Sequence, residues 1–444
     1  MTSLNLVLKR QLLRPLMMLL VGSVCVLIGC GHKSNVVDFE NITHDQLVAL
    51  AENGDKNAQV ELGIRYSNGK DGLKDKDEAV KLFKLAADQG DPRAESNLGL
   101  CYLHGDGIAK SESEAFKLFQ KSAKQGDKYG EYHLGLCYLN GYGVVKDQSK
   151  ALACFLESAK QGLSAAAFNL ARCFEQGWGV QKNDVEAFKW FMVAAKAGDF
   201  LAQTIVGNRY LTGDGVGKDF TEAVKWFQSA ANAGFPEAQY KLAGCYGSGI
   251  GLTQNRQEAI KWYKKAAEKG HTAAKNDIGI TFLRMGDGTK NKAEAFRWFK
   301  AAADDGFPPS QLHLAICYAL GQGVKTNDEA AFNWCFRAAT NGYVEAQLYV
   351  GDFYSKGRGV PVNQDEANNW FEKAAENGSE IAQGELVKRY FEETNMVSGY
   401  KWYFVLKKHG NDIPQEISNF VKTNEVGQKI LTDAQHQANE FLQN

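Results

Sequence analysis

Residues 91–126 read DPRAESNLGLCYLHGDGIAKSESEAFKLFQKSAKQG, and residues 127–162 repeat the pattern as DKYGEYHLGLCYLNGYGVVKDQSKALACFLESAKQG. The glycine closing each stretch belongs to a ladder, Gly54, Gly90, Gly126, Gly162, Gly198, Gly234, Gly270, Gly306, Gly342 and Gly378, with a constant spacing of 36 residues. A fixed period of about 20 to 50 residues marks a solenoid, in which each repeat buries its apolar face only against its neighbours. Function in such a chain belongs on a surface rather than in one catalytic domain.

Positions are counted here from each ladder glycine. Position 8 is aliphatic (Leu62, Leu98, Leu134, Leu170, Val206, Leu242, Ile278, Leu314, Val350), position 9 is Gly or Ala, and position 12 is aromatic from Tyr66 to Tyr354. Apolar residues at i and i+4 with a small residue between them make one face of a helix. Position 25 is alanine in all nine repeats, Ala79 through Ala367, followed by bulky pairs such as Trp190 and Phe191 or Trp262 and Tyr263. Small positions of a first helix therefore face large positions of a second, which lets the two interlock closely. Between them sits a glycine pair, as at Gly105 and Gly107 or Gly213 and Gly215, which caps the first helix and starts the reversal. The stretch from Gly213 to Gly217 is not a phosphate loop, because it follows a helix and no G-K-[ST] completes it.

Repeat two carries the whole set: Ala94, Leu98, Gly99, Tyr102, Gly105, Gly107, Ala115, Phe119, Ala123 and Gly126. This set resembles the Sel-1-like repeat, a relative of the tetratricopeptide repeat with a longer inter-helix loop, and the resemblance covers about residues 43–410. It implies an all-α, right-handed superhelical solenoid of antiparallel helix pairs. The expected organisation is a signal segment (1–30), a tether (31–42), a half-repeat cap helix (43–53), nine 36-residue repeats (54–378), a degenerate tenth repeat (379–410) and capping helices (411–444). Repeat seven shifts its glycines to Gly286 and Gly288, so its loop should differ locally, and repeat ten lacks the pair. Thr43 with Gln46 forms a capping-box pattern for the amino-terminal helix, while Pro414 and the pair Thr432 and Gln435 mark two expected helix starts at the other end.

A net charge of -1 and the lack of any long run of like charges remove the electrostatic footprint of a nucleic-acid binder. With 44% hydrophobic residues the array can bury a continuous core. Lys9, Arg10 and Arg14 precede an apolar stretch from Leu16 to Ile28 that is shorter than a spanning helix and reads as an export signal. Leu27, Ile28, Gly29 and Cys30 resemble the bacterial lipobox. That resemblance implies a diacylated Cys30 as the mature amino terminus, anchored in a membrane. Gly31 then favours the outer membrane, on its periplasmic side or at the cell surface. Without Cys25 and Cys30, seven of the nine cysteines remain, an odd number that leaves at least one free thiol in a monomer. Cys101, Cys137, Cys173, Cys245 and Cys317 share position 11, where adjacent repeats place equivalent residues too far apart for a disulfide. They read as small buried packing residues. Cys137 with Cys154 and Cys317 with Cys335 are the candidate pairs within a repeat.

No H-E-x-x-H, C-x-x-C or calcium-loop motif occurs and the eight histidines are scattered, so neither a metal nor a cofactor is expected. Some cysteine-rich members of the resembled family bind or hydrolyse penicillins. Here S-x-x-K occurs at Ser67 to Lys70 and at Ser398 to Lys401, without K-T-G or S-D-N, so enzyme activity is not expected.

In tetratricopeptide-like superhelices the first helices line the concave groove, which the resemblance maps to positions 3, 6, 10 and 13. In repeats three to six these positions carry Tyr129, Tyr132, Leu136, Phe168, Arg172, Leu201, Asn208, Leu211 and Tyr240. Aromatic residues and Arg supply most interface energy and Asn can bond a peptide backbone, although the leucines are equally suited to packing between repeats. The loop aromatics Tyr142 and Trp178 are a second candidate, or covers for their turns. The expected function is a non-catalytic scaffold, monomeric, exported and lipid-anchored, that binds a protein or peptide partner. The alternatives are a penicillin-binding or beta-lactamase-like cell-wall enzyme and a host-interaction factor.

Overall fold

The computed structural model describes residues 42–69, 74–286, 288–408 and 428–443, with Gln415 and Ser418 besides. The export segment, Cys30, residues 31–41 of the tether, Lys70 and the helix start expected at Pro414 lie outside the described residues. Among the described residues there are 22 α-helices and no strand. They fall in two compact bodies, divided between Ser111 and Glu112. The first body holds α1 (His44–Glu52), α2 (Lys56–Asn68), α3 (Lys76–Asp88) and α4 (Pro92–His104). The second begins with α5 (Glu112–Lys124), the second helix of repeat two. First and second helices then alternate: α6 (Lys128–Asn140), α7 (Gln148–Lys160), α8 (Ser164–Gln176), α9 (Asp184–Lys196), α10 (Phe200–Thr212), α11 (Phe220–Asn232), α12 (Pro236–Ser248) and α13 (Arg256–Glu268). The series continues with α14 (Thr272–Arg284), α15 (Thr289–Asp304), α16 (Pro308–Leu320), α17 (Asp328–Thr340), α18 (Val344–Lys356), α19 (Gln364–Glu376), α20 (Glu380–Glu392), α21 (Met396–Lys408) and α22 (Gln428–Gln443). Within each body every helix packs on the next in chain order, the contact pattern of an all-α solenoid.

Each boundary has a local cause. Asp75, Asp147, Asn183, Asp219, Asn255, Asn327 and Asn363, all at position 21, start second helices by accepting backbone N–H groups of the first turn. The first glycine of each pair ends its first helix in the left-handed region, as at Gly141 with φ 84°. The second glycine is fixed by packing as well. At Gly215, with φ +74°, a Cβ would collide with the backbone carbonyl of Asp184 in the preceding repeat, and Gly143, Gly179, Gly251, Gly323 and Gly359 meet equivalent carbonyls. Position 9 is small for a third reason: a Cβ on Gly207 would lie 2.6 Å from the ring of Phe227, which is fully buried at position 29.

A further device joins repeats at position 5. The side-chain amides of Gln203, Gln239 and Gln383 donate to the carbonyls of Ala195, Ala231 and Ala375, at 3.1, 3.2 and 3.1 Å, near the carboxyl end of the preceding second helix. Gln59 does the same to Ala51 at 3.1 Å in the first body. Each of these carbonyls also accepts the backbone N–H of the ladder glycine, as Ala195 does from Gly198 at 3.1 Å, so the glutamine adds a second, buried bond that ties the next repeat to the helix end.

The irregular repeats differ where their residues do. In repeat seven, α14 ends at Arg284 without a left-handed glycine cap, and α15 starts early and runs for 16 residues. Thr43 and Gln46 form a reciprocal capping box on α1. At the other end α22 buries Ala434 and Ala438, and Phe441 meets the fully buried Trp402 with ring centroids 5.2 Å apart. The helix start expected at Thr432 is corrected: α22 already runs from Gln428, and Thr432 lies inside it, because the stripe Leu431, Ala434, Ala438 and Phe441 continues the apolar spacing toward the amino end. The candidate disulfides are corrected too. Cys137, Cys154, Cys317 and Cys335 are free and buried, as are Cys101, Cys173 and Cys245. Burial pushes the thiols of Cys137, Cys154, Cys173 and Cys335 up to about 12, which makes them packing groups rather than nucleophiles.

Candidate partner-binding face

The outward surface of the second helices is occupied by its own charges. Position 24 pairs with position 27 in Lys81 and Glu78 (2.6 Å), Lys117 and Glu114 (2.7 Å), Lys189 and Glu186 (2.5 Å), Lys225 and Glu222 (2.5 Å), Lys261 and Glu258 (2.5 Å), and Arg297 and Glu294 (3.1 Å). Position 28 is tryptophan in repeats four to nine. Lys265 lies 3.8 Å from the ring centre of Trp262, Arg337 lies 4.7 Å from that of Trp334 and Lys373 lies 4.2 Å from that of Trp370. The paired acid and base occupy six of the nine repeats; repeats three, eight and nine carry Lys150 and Ala153, Ala330 and Asn333, and Glu366 and Asn369 instead.

The first helices differ from repeat to repeat. All nine residues chosen from the sequence lie on α6, α8, α10 and α12. Tyr132, Leu136, Phe168 and Leu201 join one apolar cluster, and Leu211 and Tyr240 join another. Tyr129 is half-buried, with the Lys128 ammonium 5.4 Å from its ring centre. Tyr132 tilts on Phe155 with centroids 6.0 Å apart, and its hydroxyl accepts a bond of 3.4 Å from Asn169 of the next repeat. Burial raises its pKa. Arg172 pairs with Glu175 at 2.5 Å and lies 5.9 Å from the ring centre of Trp178, so this loop aromatic packs on the first-helix face. Glu175 also receives Arg209 of repeat five at 2.6 Å, and that guanidinium covers Phe191. Asn208 is half-buried, and its carbonyl accepts from the Thr212 hydroxyl at 3.2 Å. Phe168 is not part of an accessible groove. It is 8% exposed and meets Phe191 edge-on at 5.4 Å, because a ring without a polar tip turns into the core.

The sequence reading passed over position 7. Position 6 of one repeat bonds position 7 of the next: Asn169 to Tyr132, Tyr240 to Asp277 at 2.9 Å, and His313 to Asn276 at 2.9 Å. Polar residues spaced 37 apart are the signal that could have shown it. His313 also stacks on Phe299 at 4.7 Å, and burial lowers its pKa, favouring the neutral ring.

Groups able to do covalent chemistry are not brought together among the described residues. No set of three His, Cys, Asp or Glu residues is arranged to hold a metal. A shallow recess of about 360 Å³ is lined by Ser355, Gln364, Arg389, Glu392 and Glu393. Arg389 is held in it by Ser355 at 3.1 Å, by Gln364 at 2.6 Å and by Asn368 at 2.5 Å. In the second S-x-x-K match, the Lys401 ammonium lies 4.7 Å from the ring centre of Trp402. No helix among the described residues is long and apolar enough to cross a membrane.

The fold and this face define a class: an all-α repeat scaffold, an architecture for protein–protein interaction, built from identical core contacts with a variable first-helix surface. Sel1 repeat models match nine consecutive segments, 56–91, 92–127, 128–163, 164–199, 201–235, 236–271, 273–307, 308–343 and 344–379. The chain belongs to the Sel1 repeat family. Among solved structures it is similar to a protective antigen of uropathogenic Escherichia coli strains that displays an SLR fold, at 27% identity and a TM-score of 0.62, covering 91% of this chain and 95% of that one. It is also similar to a Sel1 repeat protein from Oxalobacter formigenes, at 27% identity and a TM-score of 0.46, covering 63% of this chain and 96% of that one. No curated protein sequence matches the chain.

Proposed function

We propose that this protein is a non-catalytic adaptor that holds a polypeptide partner along the first-helix face, and that it works as an exported lipoprotein. The observation that carries the adaptor reading is the contrast between the two outward surfaces. In six of the nine repeats the second helices present an internally paired acid and base at positions 24 and 27, whereas position 10 of the first helices changes from Leu136 to Arg172, Asn208, Gly244 and Ile280 in successive repeats. Recognition requires residues that differ along the array, and position 10 of the first helices supplies them in repeats three to seven. An Arg172→Glu, Asn208→Arg double variant should fold as the wild type does and lose its captured partner. Unchanged capture would refute the site.

The charge, apolar run and Cys30 of the first 30 residues support lipid anchoring in an outer membrane. The similar Escherichia coli protein is a protective antigen, and this supports a cell-surface orientation for the present chain, with contact to a host as the corresponding role. Protease treatment of intact cells tests it: cleavage of the array supports surface display, and full protection refutes it.

A further inference from the structure

Position 11, where five repeats carry cysteine, is arginine at Arg65, Arg209 and Arg389. The first two meet a carboxylate. Arg65 pairs with Glu61 at 3.4 Å, and Arg209 pairs at 2.6 Å with Glu175, which stands at position 13 of the preceding repeat. Arg389, on α20, is the counterpart of Arg209: its guanidinium lies 5.3 Å from the ring centre of Phe371, as that of Arg209 lies 5.2 Å from that of Phe191. Position 13 of the repeat before it, however, is Ser355. Nη1 of Arg389 donates to the Ser355 hydroxyl at 3.1 Å, Nη2 to Gln364 Oε1 at 2.6 Å and Nε to Asn368 Oδ1 at 2.5 Å. No carboxylate lies within ion-pair distance of it among the described residues. A guanidinium has five N–H groups, so these three neutral acceptors leave one N–H on each terminal nitrogen. A half-buried guanidinium without a counter-charge is costly, and the chain avoids that cost at the other two arginines.

Negative charge is nevertheless close by. Glu392 and Glu393 line the same recess of about 360 Å³ as Ser355, Gln364 and Arg389. They follow Arg389 by three and four residues, the spacing at which helical side chains meet, and Arg172 with Glu175 shows such a pair closed at 2.5 Å. Arg389 closes none. It turns instead to the preceding repeat, while both oxygens of Glu393 accept from the Asn368 amide at 2.9 and 3.1 Å. Neither glutamate has a cation within ion-pair distance among the described residues. One positive and two negative groups thus line one space without meeting each other. A ligand carrying both signs satisfies all of them: its carboxylate takes the two remaining guanidinium N–H groups, as Glu175 serves Arg209, and its ammonium takes the glutamates. The volume is at the small end of ligand pockets, which run from about 300 to 1,000 Å³, and so suits a single amino acid rather than a chain.

We propose that the recess between repeats nine and ten is a binding site for the zwitterion of a free α-amino acid. The α-carboxylate accepts from Nη1 and Nη2 of Arg389, and the α-ammonium donates to Glu392 and Glu393. The site does not depend on the adaptor reading.

The test is isothermal titration calorimetry on the full-length protein, with the standard α-amino acids as probes. Each is run beside its N-acetyl derivative, which keeps only the carboxylate, and its amide, which keeps only the ammonium. At least one amino acid should bind at least about tenfold more tightly than either derivative, because each derivative loses a charge-assisted contact. Arg389→Gln should abolish binding. Ser355→Glu keeps the test open should that variant fold poorly: it restores the arrangement of Glu175 and Arg209, so Arg389 gains an internal carboxylate, binding is lost and amide exchange in α20 slows. Binding that persists in Ser355→Glu, an N-acetyl derivative bound as tightly as its amino acid, or no binding of any amino acid overturns the site.

Discussion

Replacing Gly215 by alanine tests how the repeats are joined. The residue sits at φ +74° with its Cα against the carbonyl of Asp184, which belongs to the preceding repeat. Alanine incurs about 1–2 kcal/mol for the left-handed backbone. It also adds a methyl where a backbone atom already sits, an overpacking cost of about 1–3 kcal/mol, since the carbonyl cannot rotate away as a side-chain tip could. Gly198 is the internal control. It has φ +91° and nothing within 4 Å of the added Cβ, so alanine there carries only the backbone cost. The difference of about 1–3 kcal/mol belongs to the contact between repeats and corresponds to a change of at least about fivefold in an opening equilibrium. A solenoid need not unfold in one step, so the assay should be local. Amide hydrogen exchange followed by mass spectrometry across α9 and α10 should show exchange at least about fivefold faster in Gly215→Ala than in Gly198→Ala. Equal acceleration in the two variants would refute the contact as the reason for the second glycine.

Gly244→Ala and Gly247→Ala should each stabilise repeat six by about 0.5–1 kcal/mol, seen as slower exchange in α12, because alanine fits both sites and is the better helix former. Gln203→Ala should destabilise the junction between repeats four and five by about 0.5–1.5 kcal/mol through loss of its buried bond to the Ala195 carbonyl, read as faster exchange at the end of α9. Phe168→Ala should cost about 3–5 kcal/mol locally, as a core deletion does, and a fully folded variant in a denaturant titration would return Phe168 to the surface. Burial holds the Asp277 pKa above its ordinary value, so its contribution to stability is most favourable below about 3.9, the unfolded value, and is lost as pH rises through the folded value. Asp277→Asn should therefore gain stability relative to wild type between pH 4 and pH 7, and a constant difference in denaturation midpoint would contradict this. Cys30→Ala should release the protein from membranes, and continued retention without lipid would contradict the anchor.

The fold was legible because a solenoid writes the same packing problem into every repeat. Position 25 must be alanine wherever a first helix crosses closely, and position 9 must be small wherever a ring such as Phe227 lies over it. The joints between repeats were less visible. Gln203 acts on Ala195, and Asn169 acts on Tyr132, across the ladder glycine that divides one repeat from the next, so a count within one repeat separates the partners. Position 6 shows why a spacing rule alone does not define a surface. It lies between the face and the second helix, and whether a ring stays at the edge depends on a hydroxyl that bonds the next repeat, present in Tyr132 and Tyr240 and absent in Phe168.

The central claim is that a partner lies on the first helices. A photoreactive amino acid placed at Asn208, on α10, or at Lys225, on α11, reads the two surfaces directly in living cells. The account predicts one discrete crosslinked species from position 208 and none from position 225; the same species from both, or from 225 alone, would contradict it.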